Sequence, residues 1–130
     1  MLIISVTVFS CRVTLAPARD ASLIVNVLDI QNSTNTLYSS IISSQNKSFS
    51  FYESDYLAID SKIDSLVSVN KDRKYAQNIY KQAVILQTYF DKYTADHKNR
   101  GTLKTSEARV YKDYLQSFIK TILVSELSLK

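Results

Sequence analysis

His97 is the one imidazole in a chain of 130 residues, and Cys11 is the one thiol. Enzymes commonly pair a nucleophile with a base, gather metal ligands, or set two carboxylates in divergent environments. None of these is assembled in the pattern. His97 stands between Asp96 and Lys98 in a charged stretch and reads as an exposed surface residue. A helical di-metal centre would need Glu-x-x-His pairs on a core face, and no Glu precedes His97 at that spacing. Asp60 and Asp64 share a helix face at i, i+4 with Lys62 nearby, which reads as a solvated face. One glycine and one cysteine cannot build a phosphate loop or a zinc motif, so no metal or cofactor is implied and an enzyme is not expected.

The remaining chemistry is that of hydroxyls. Nine tyrosines are spread along the chain, and Tyr75, Tyr80, Tyr111 and Tyr114 lie among lysines, as base-stacking surfaces do. Tyr75 and Tyr111 fall on core stripes, however, and no run of four basic residues accompanies them, so nucleic acid is not an expected partner. A tyrosine can bury its ring while offering its hydroxyl to a polar group. Thr34 and Ser125 also place hydroxyls on otherwise apolar stripes. Two readings follow: a cavity for an apolar molecule with a polar end, or an ordinary core whose hydroxyls bond the preceding helical turn.

Four periodic segments must position these groups. Gly and Pro punctuate helices, and with Pro17 and Gly101 the only two, nothing interrupts the stripes between them. Asp20 is a good N-cap for a first helix whose inner face is Leu23, Val27, Ile30, Thr34, Leu37 and Ile41. The polar run 43–48 is the clearest loop. Ser50 and Glu53 have capping-box spacing for a second helix carrying Tyr52, Tyr56, Ile59, Ile63 and Leu66. A third stripe holds Tyr75, Ile79, Ala83, Leu86, Phe90 and Tyr93; Val84, Ile85 and Tyr89 widen it, predicting the most buried element. Gly101 supplies its C-cap. Thr105 can cap a fourth helix with an inner face of Ala108, Tyr111, Leu115, Phe118, Ile122 and Ser125. The expectation is an all-α, up-down antiparallel bundle of four to five helices in a single domain over residues 19–130.

Residues 2–9 form an apolar run followed by Ala16-Pro17-Ala18, the pattern of a secretory signal over 1–18 that is cut before Arg19. Cleavage would remove Cys11 and leave a secreted domain without disulfides. No stretch reaches the roughly 18 apolar residues of a membrane span. Asn32 and Asn46 lie in glycosylation sequons. Charge is uneven: residues 19–70 hold three basic and six acidic groups, and residues 71–130 hold twelve basic and six acidic. A positive half can attract an anionic partner, though lysines spaced along helices also read as a solvated face.

The order of these features carries a resemblance. A signal ending near Ala-Pro-Ala precedes Arg19-Asp20, then Val27-Leu28-Asp29-Ile30, Thr34, Leu37 and Ile41, and a polar break. Later come Phe90-Asp91-Lys92, Gly101, and a terminal helix with Phe118-Ile119 and Ile122 to Leu127. Over residues 19–127 this pattern resembles the fungal hydrophobic surface-binding and cell-wall galactomannoprotein family. The resemblance implies a secreted, cell-wall-associated helical domain that binds apolar surfaces or encloses a fatty acid, with a link to virulence. The resemblance carries over only the apolar helix positions; if a cavity forms, the inner faces place Ile30, Ile59, Ile63, Ile79, Leu86, Leu115 and Phe118 on its walls, with Thr34, Tyr56, Tyr111 or Ser125 meeting the carboxylate. The alternative is a secreted effector or interaction module that grips a host protein through a helix face.

Overall fold

The computed structural model describes residues 19–129. The expected signal segment and Cys11 lie outside the described residues. Four helices follow in order: α1 (Ala21–Ser43), α2 (Phe49–Lys71), α3 (Gln77–Arg100) and α4 (Thr105–Leu127). Cross-helix contacts run in opposing directions: Lys62 reaches Asp29, Gln87 reaches Asp64, Ser125 reaches Gln82, and Lys112 reaches Ser39. Each helix is therefore antiparallel to both of its neighbours, and α4 closes the ring against α1. This is the all-α bundle of the expectation, with four helices. Among the described residues no helix is long and apolar enough to cross a membrane.

The 4-3-4-3 stripes become the core. Leu23, Val27, Ile30, Leu37 and Ile41 of α1 meet Ile59, Ile63 and Leu66 of α2, Ile79, Leu86 and Phe90 of α3, and Leu115, Ile119 and Ile122 of α4. Each such side chain contributes roughly 1.5–3 kcal/mol on leaving water. Asp20 caps α1 as its type predicts, accepting from the Ser22 and Leu23 amides at 2.9 and 3.2 Å. At the other end of α1 the Lys47 ammonium donates to the carbonyls of Ile41, Ile42 and Ser44, satisfying acceptors that a helix C-terminus leaves open. Gly101 closes α3 at φ +78°, in the left-handed region that favours glycine.

Three helix starts differ from the spacing argument. α2 begins at Phe49, not at a Ser50–Glu53 box, because the Phe49 amide donates to the Gly101 carbonyl at 2.9 Å and Ser48 pairs with Thr102. The α1–α2 and α3–α4 turns are thereby tied together at one end. α3 begins after Tyr75, which sits outside the helix at φ +63° and is 61 % exposed, while Ala76 takes the inward place. Thr105 is the first residue of α4, not its cap; the Glu107 carboxylate instead holds the Lys104 amide at 3.0 Å.

Candidate functional site

α4 carries two overlapping apolar stripes that share Leu115 and Ile122. The core uses the one through Ala108, Ile119 and Glu126. Tyr111, Phe118 and Ser125, expected on the inner face, are only half-buried and lie along the seam with α3. There Tyr111 stacks on Tyr93 at 4.0 Å and 6°, Tyr93 meets Tyr89 at 5.9 Å, Tyr89 meets Phe118 at 4.8 Å, and Phe118 meets Tyr114 at 6.5 Å. Five rings thus form a continuous aromatic strip on the α3–α4 face.

Only part of this strip is inside. Tyr93 is buried, whereas Tyr89 and Tyr114 are 37 % and 54 % exposed, with Ile85 and Val110 also open to solvent. Ile85 and Tyr89, expected to widen the buried stripe of α3, therefore furnish an outer surface, while Val84 is half-buried. Lys92 lies over the Tyr89 ring at 5.9 Å. At one end the Tyr111 hydroxyl donates to Asp96, which with Glu107 holds Arg100 at 3.2 and 2.8 Å. Desolvation and this carboxylate push the Tyr111 phenol up to about 12, so it stays a donor at ordinary pH. A cleft of about 380 Å³ opens beside Tyr114 and Val110.

The expected lining residues separate into two groups. Ile30, Ile59, Ile63, Ile79, Leu86 and Leu115 are all buried in one core, with Thr34 and Tyr56. Phe118, Tyr111 and Ser125 belong to the α3–α4 seam, where Ser125 donates to the Gln82 side chain at 3.1 Å. Among the described residues two core hydroxyls, those of Thr34 and Tyr38, have no partner in hydrogen-bonding geometry. They are one turn apart on α1.

His97 is the principal correction to the sequence reading: it is fully buried. Its stripe, Phe90, Tyr93, His97, simply continues at helical spacing, and the α2 start covers it. The Tyr56 hydroxyl donates to Nδ1 at 2.9 Å, and Nε2–H donates to the Lys47 carbonyl at 2.8 Å. Phe49, Tyr52 and Tyr56 surround the ring. Burial holds the imidazole below its usual range, against the opposing pull of the Lys47 carbonyl and Asp96.

Spacing also passed over Glu126 and Asn70, both fully buried. Arg73, from the α2–α3 turn, grips Glu126 through two bonds of 2.6 and 2.7 Å, and Glu126 accepts the Asp20 amide at 2.7 Å. Among the described residues no group of three or more His, Cys, Asp and Glu could hold a metal ion. No protein-family model, curated protein or solved structure matches the chain.

Proposed function

We propose that the mature chain is a secreted, non-enzymatic binding module whose α3–α4 aromatic face engages a partner protein. The observation that carries this reading is the exposed pair Tyr89 and Tyr114, bridged by the half-buried Phe118 and backed by the stacked Tyr93–Tyr111 pair. Interface centres are enriched in aromatic side chains and depleted of charge, with polar groups around them. Stacking in the free protein fixes these rings in place, so little rotamer freedom remains to be lost on association. His97 supports the non-enzymatic part, since both of its nitrogens are engaged in the interior.

The test is affinity capture from extracellular extract with the wild-type chain, the triple variant Tyr89→Ser/Tyr114→Ser/Phe118→Ser, and a control, Thr36→Ala, at an exposed α1 position on the groove that Asn32, Ser33, Asp55 and Lys62 line between α1 and α2. A partner retained by wild type and Thr36→Ala, and lost by the triple variant, is the expected result. Equal capture by all three overturns the reading.

A second reading, a fungal-type carrier of fatty acids between its helices, keeps one specific observation in its favour. The unpartnered hydroxyls of Thr34 and Tyr38 sit inside an apolar core, where a ligand's polar end could satisfy them. Palmitate at tens of micromolar would then raise the melting temperature by mass action. Ile63→Phe would weaken that effect with little loss of stability, whereas in a filled core it costs roughly 1–3 kcal/mol by overpacking. An unchanged melting temperature rejects the carrier.

A further inference from the structure

On the opposite side of α3, a groove of about 250 Å³ runs along its seam with α2. Its floor is aromatic: Phe49 stacks on Tyr56 at 5.4 Å, and Tyr56 meets Phe90 at 5.9 Å. Leu57 stands on its wall 64 % exposed, an apolar side chain with water on most of its surface. The antiparallel register orders the charges along it. Lys98 and Glu53 lie at the Phe49 end, while Asp60 from α2 and Asp91 from α3 lie at the other, about two turns away.

These two aspartates come from different helices and face one another, with Asp64 a turn further along. Burial raises the Asp91 carboxyl above the usual carboxylate range, and the neighbouring Asp60, by its charge and by a hydrogen bond, and then Asp64 raise it further. Among the described residues neither Asp60 nor Asp91 has an ion-pair partner. The lysine nearest in sequence to Asp60, Lys62, is turned to Asp29 and Ser33 on the other side of α2. The groove therefore joins an apolar bed to an uncompensated negative end.

We propose that this groove binds an organic ammonium ion, its charged head between Asp60 and Asp91 and its apolar body against the half-buried Phe49 and the exposed Leu57, above the buried Tyr56 and Phe90. A cation placed there removes the carboxylate repulsion. The volume lies just below the roughly 300–1,000 Å³ of drug-sized sites, which fits a small arylalkyl or alkyl amine. A carboxylate ligand meets repulsion at the same end, so this site selects against fatty acids. Binding strengthens as Asp91 ionises and fades when acid protonates it.

The experiment is an amide NMR titration of the full chain with 2-phenylethylammonium, compared with 2-phenylethanol and phenylacetate. Saturable shifts are expected at Leu57, Asp60, Asp91 and Ala95, with the alcohol at least about tenfold weaker and the acid weaker still. Asp60→Asn/Asp91→Asn should weaken the amine by at least about tenfold, and bound amine should lower the titration midpoint of the Asp91 carboxyl. The alcohol comparison uses the unaltered protein and so does not depend on how the variant folds. Equal binding of amine and alcohol, wild-type affinity in the double variant, or no saturable shifts at these amides would each overturn the proposal.

Discussion

Where the described chain enters and leaves the bundle, Arg73 and Glu126 meet as ions; at the opposite, loop end, Tyr56 and His97 meet as neutral groups. Both pairs tie a helix to something distant in sequence. The ionic pair joins the α2–α3 turn to α4 and, through the Asp20 amide, to the start of α1. The neutral pair joins α2 to α3 and, through the Lys47 carbonyl, to the α1–α2 loop. The difference lies in what failure does. Losing one ion strands a buried charge, whereas losing one neutral partner strands only a dipole.

The ionic end should therefore give the largest effect. Glu126→Ala leaves Arg73 without its bidentate partner; because the Arg73 side chain keeps 15 % of its surface in water and a bond to Asn70, the loss should fall at the lower end of the about 3–5 kcal/mol that breaking a buried pair costs. Replacing both ions with apolar residues, as in Arg73→Met/Glu126→Leu, should recover most of that loss. Urea denaturation of the three proteins checks both statements. If the double replacement is no better than the single one, the wider contacts of Arg73 and the Asp20 amide matter more than the charge pairing.

At the neutral end, Tyr56→Phe removes the donor to Nδ1 and should cost about 1–3 kcal/mol, smaller than the ionic loss. The same site sets a pH response. Burial holds the folded-state pKa of His97 below its unfolded value near 6.5, so the unfolded chain takes up the proton first. Stability is then complete above about pH 6.5 and declines as acid is added through the window below it. The groups facing the ring are Tyr56, Tyr52, Phe49 and the Lys47 carbonyl, with Asp96 and Arg100 acting on its charge from α3. Asp20, Asp96 and Glu107 have depressed pKa values, so their loss comes at lower pH, below about 4. Unfolding curves between pH 7 and 5 should show the first decline in wild type and no such decline in His97→Gln. A matching slope in that variant would place the titration elsewhere.

Much of this architecture is legible from spacing alone, and the misses share a cause. The stripes of α1 and α2 follow the sequence because each has one unbroken apolar row at helical spacing, from Leu23 to Ile41 and from Tyr52 to Leu66, while Val25, Phe51 and Leu57 stand off it as isolated exposed residues. α4 offers two, and period cannot choose between Phe118 and Ile119; the rings that Tyr89 and Tyr93 present across the seam decide it. His97, Asn70 and Glu126 each continue a buried stripe at helical spacing, yet their polarity argues for the surface. What reverses that argument is a partner from a turn or another helix, such as Arg73, Tyr56 or the Lys47 carbonyl. Local pattern carries no information on such a partner. The α2–α3 groove was hidden for the same reason, since Asp60 and Asp64 read as a solvated face until Asp91 is placed opposite them.

The smallest expected effect separates a satisfied core from an incomplete one. Tyr38 is fully buried between the two ends, its ring edge-on to Tyr56 at 6.3 Å, and its hydroxyl lies near that of Tyr56 without hydrogen-bonding geometry. Burial, with the neighbouring Tyr56, raises its pKa well above the ordinary value, so the group is a neutral hydroxyl under all ordinary conditions. A buried hydroxyl with no partner carries a desolvation penalty without a compensating bond. Tyr38→Phe removes the oxygen and keeps the ring, so stability should stay within about 1 kcal/mol of wild type or rise. Tyr56→Phe should lose more, because its hydroxyl is engaged. A Tyr38→Phe loss as large as that of Tyr56→Phe would mean that the Tyr38 hydroxyl extends the His97 chain, making the loop end a three-membered relay and withdrawing one of the two free hydroxyls on which the fatty-acid reading depends.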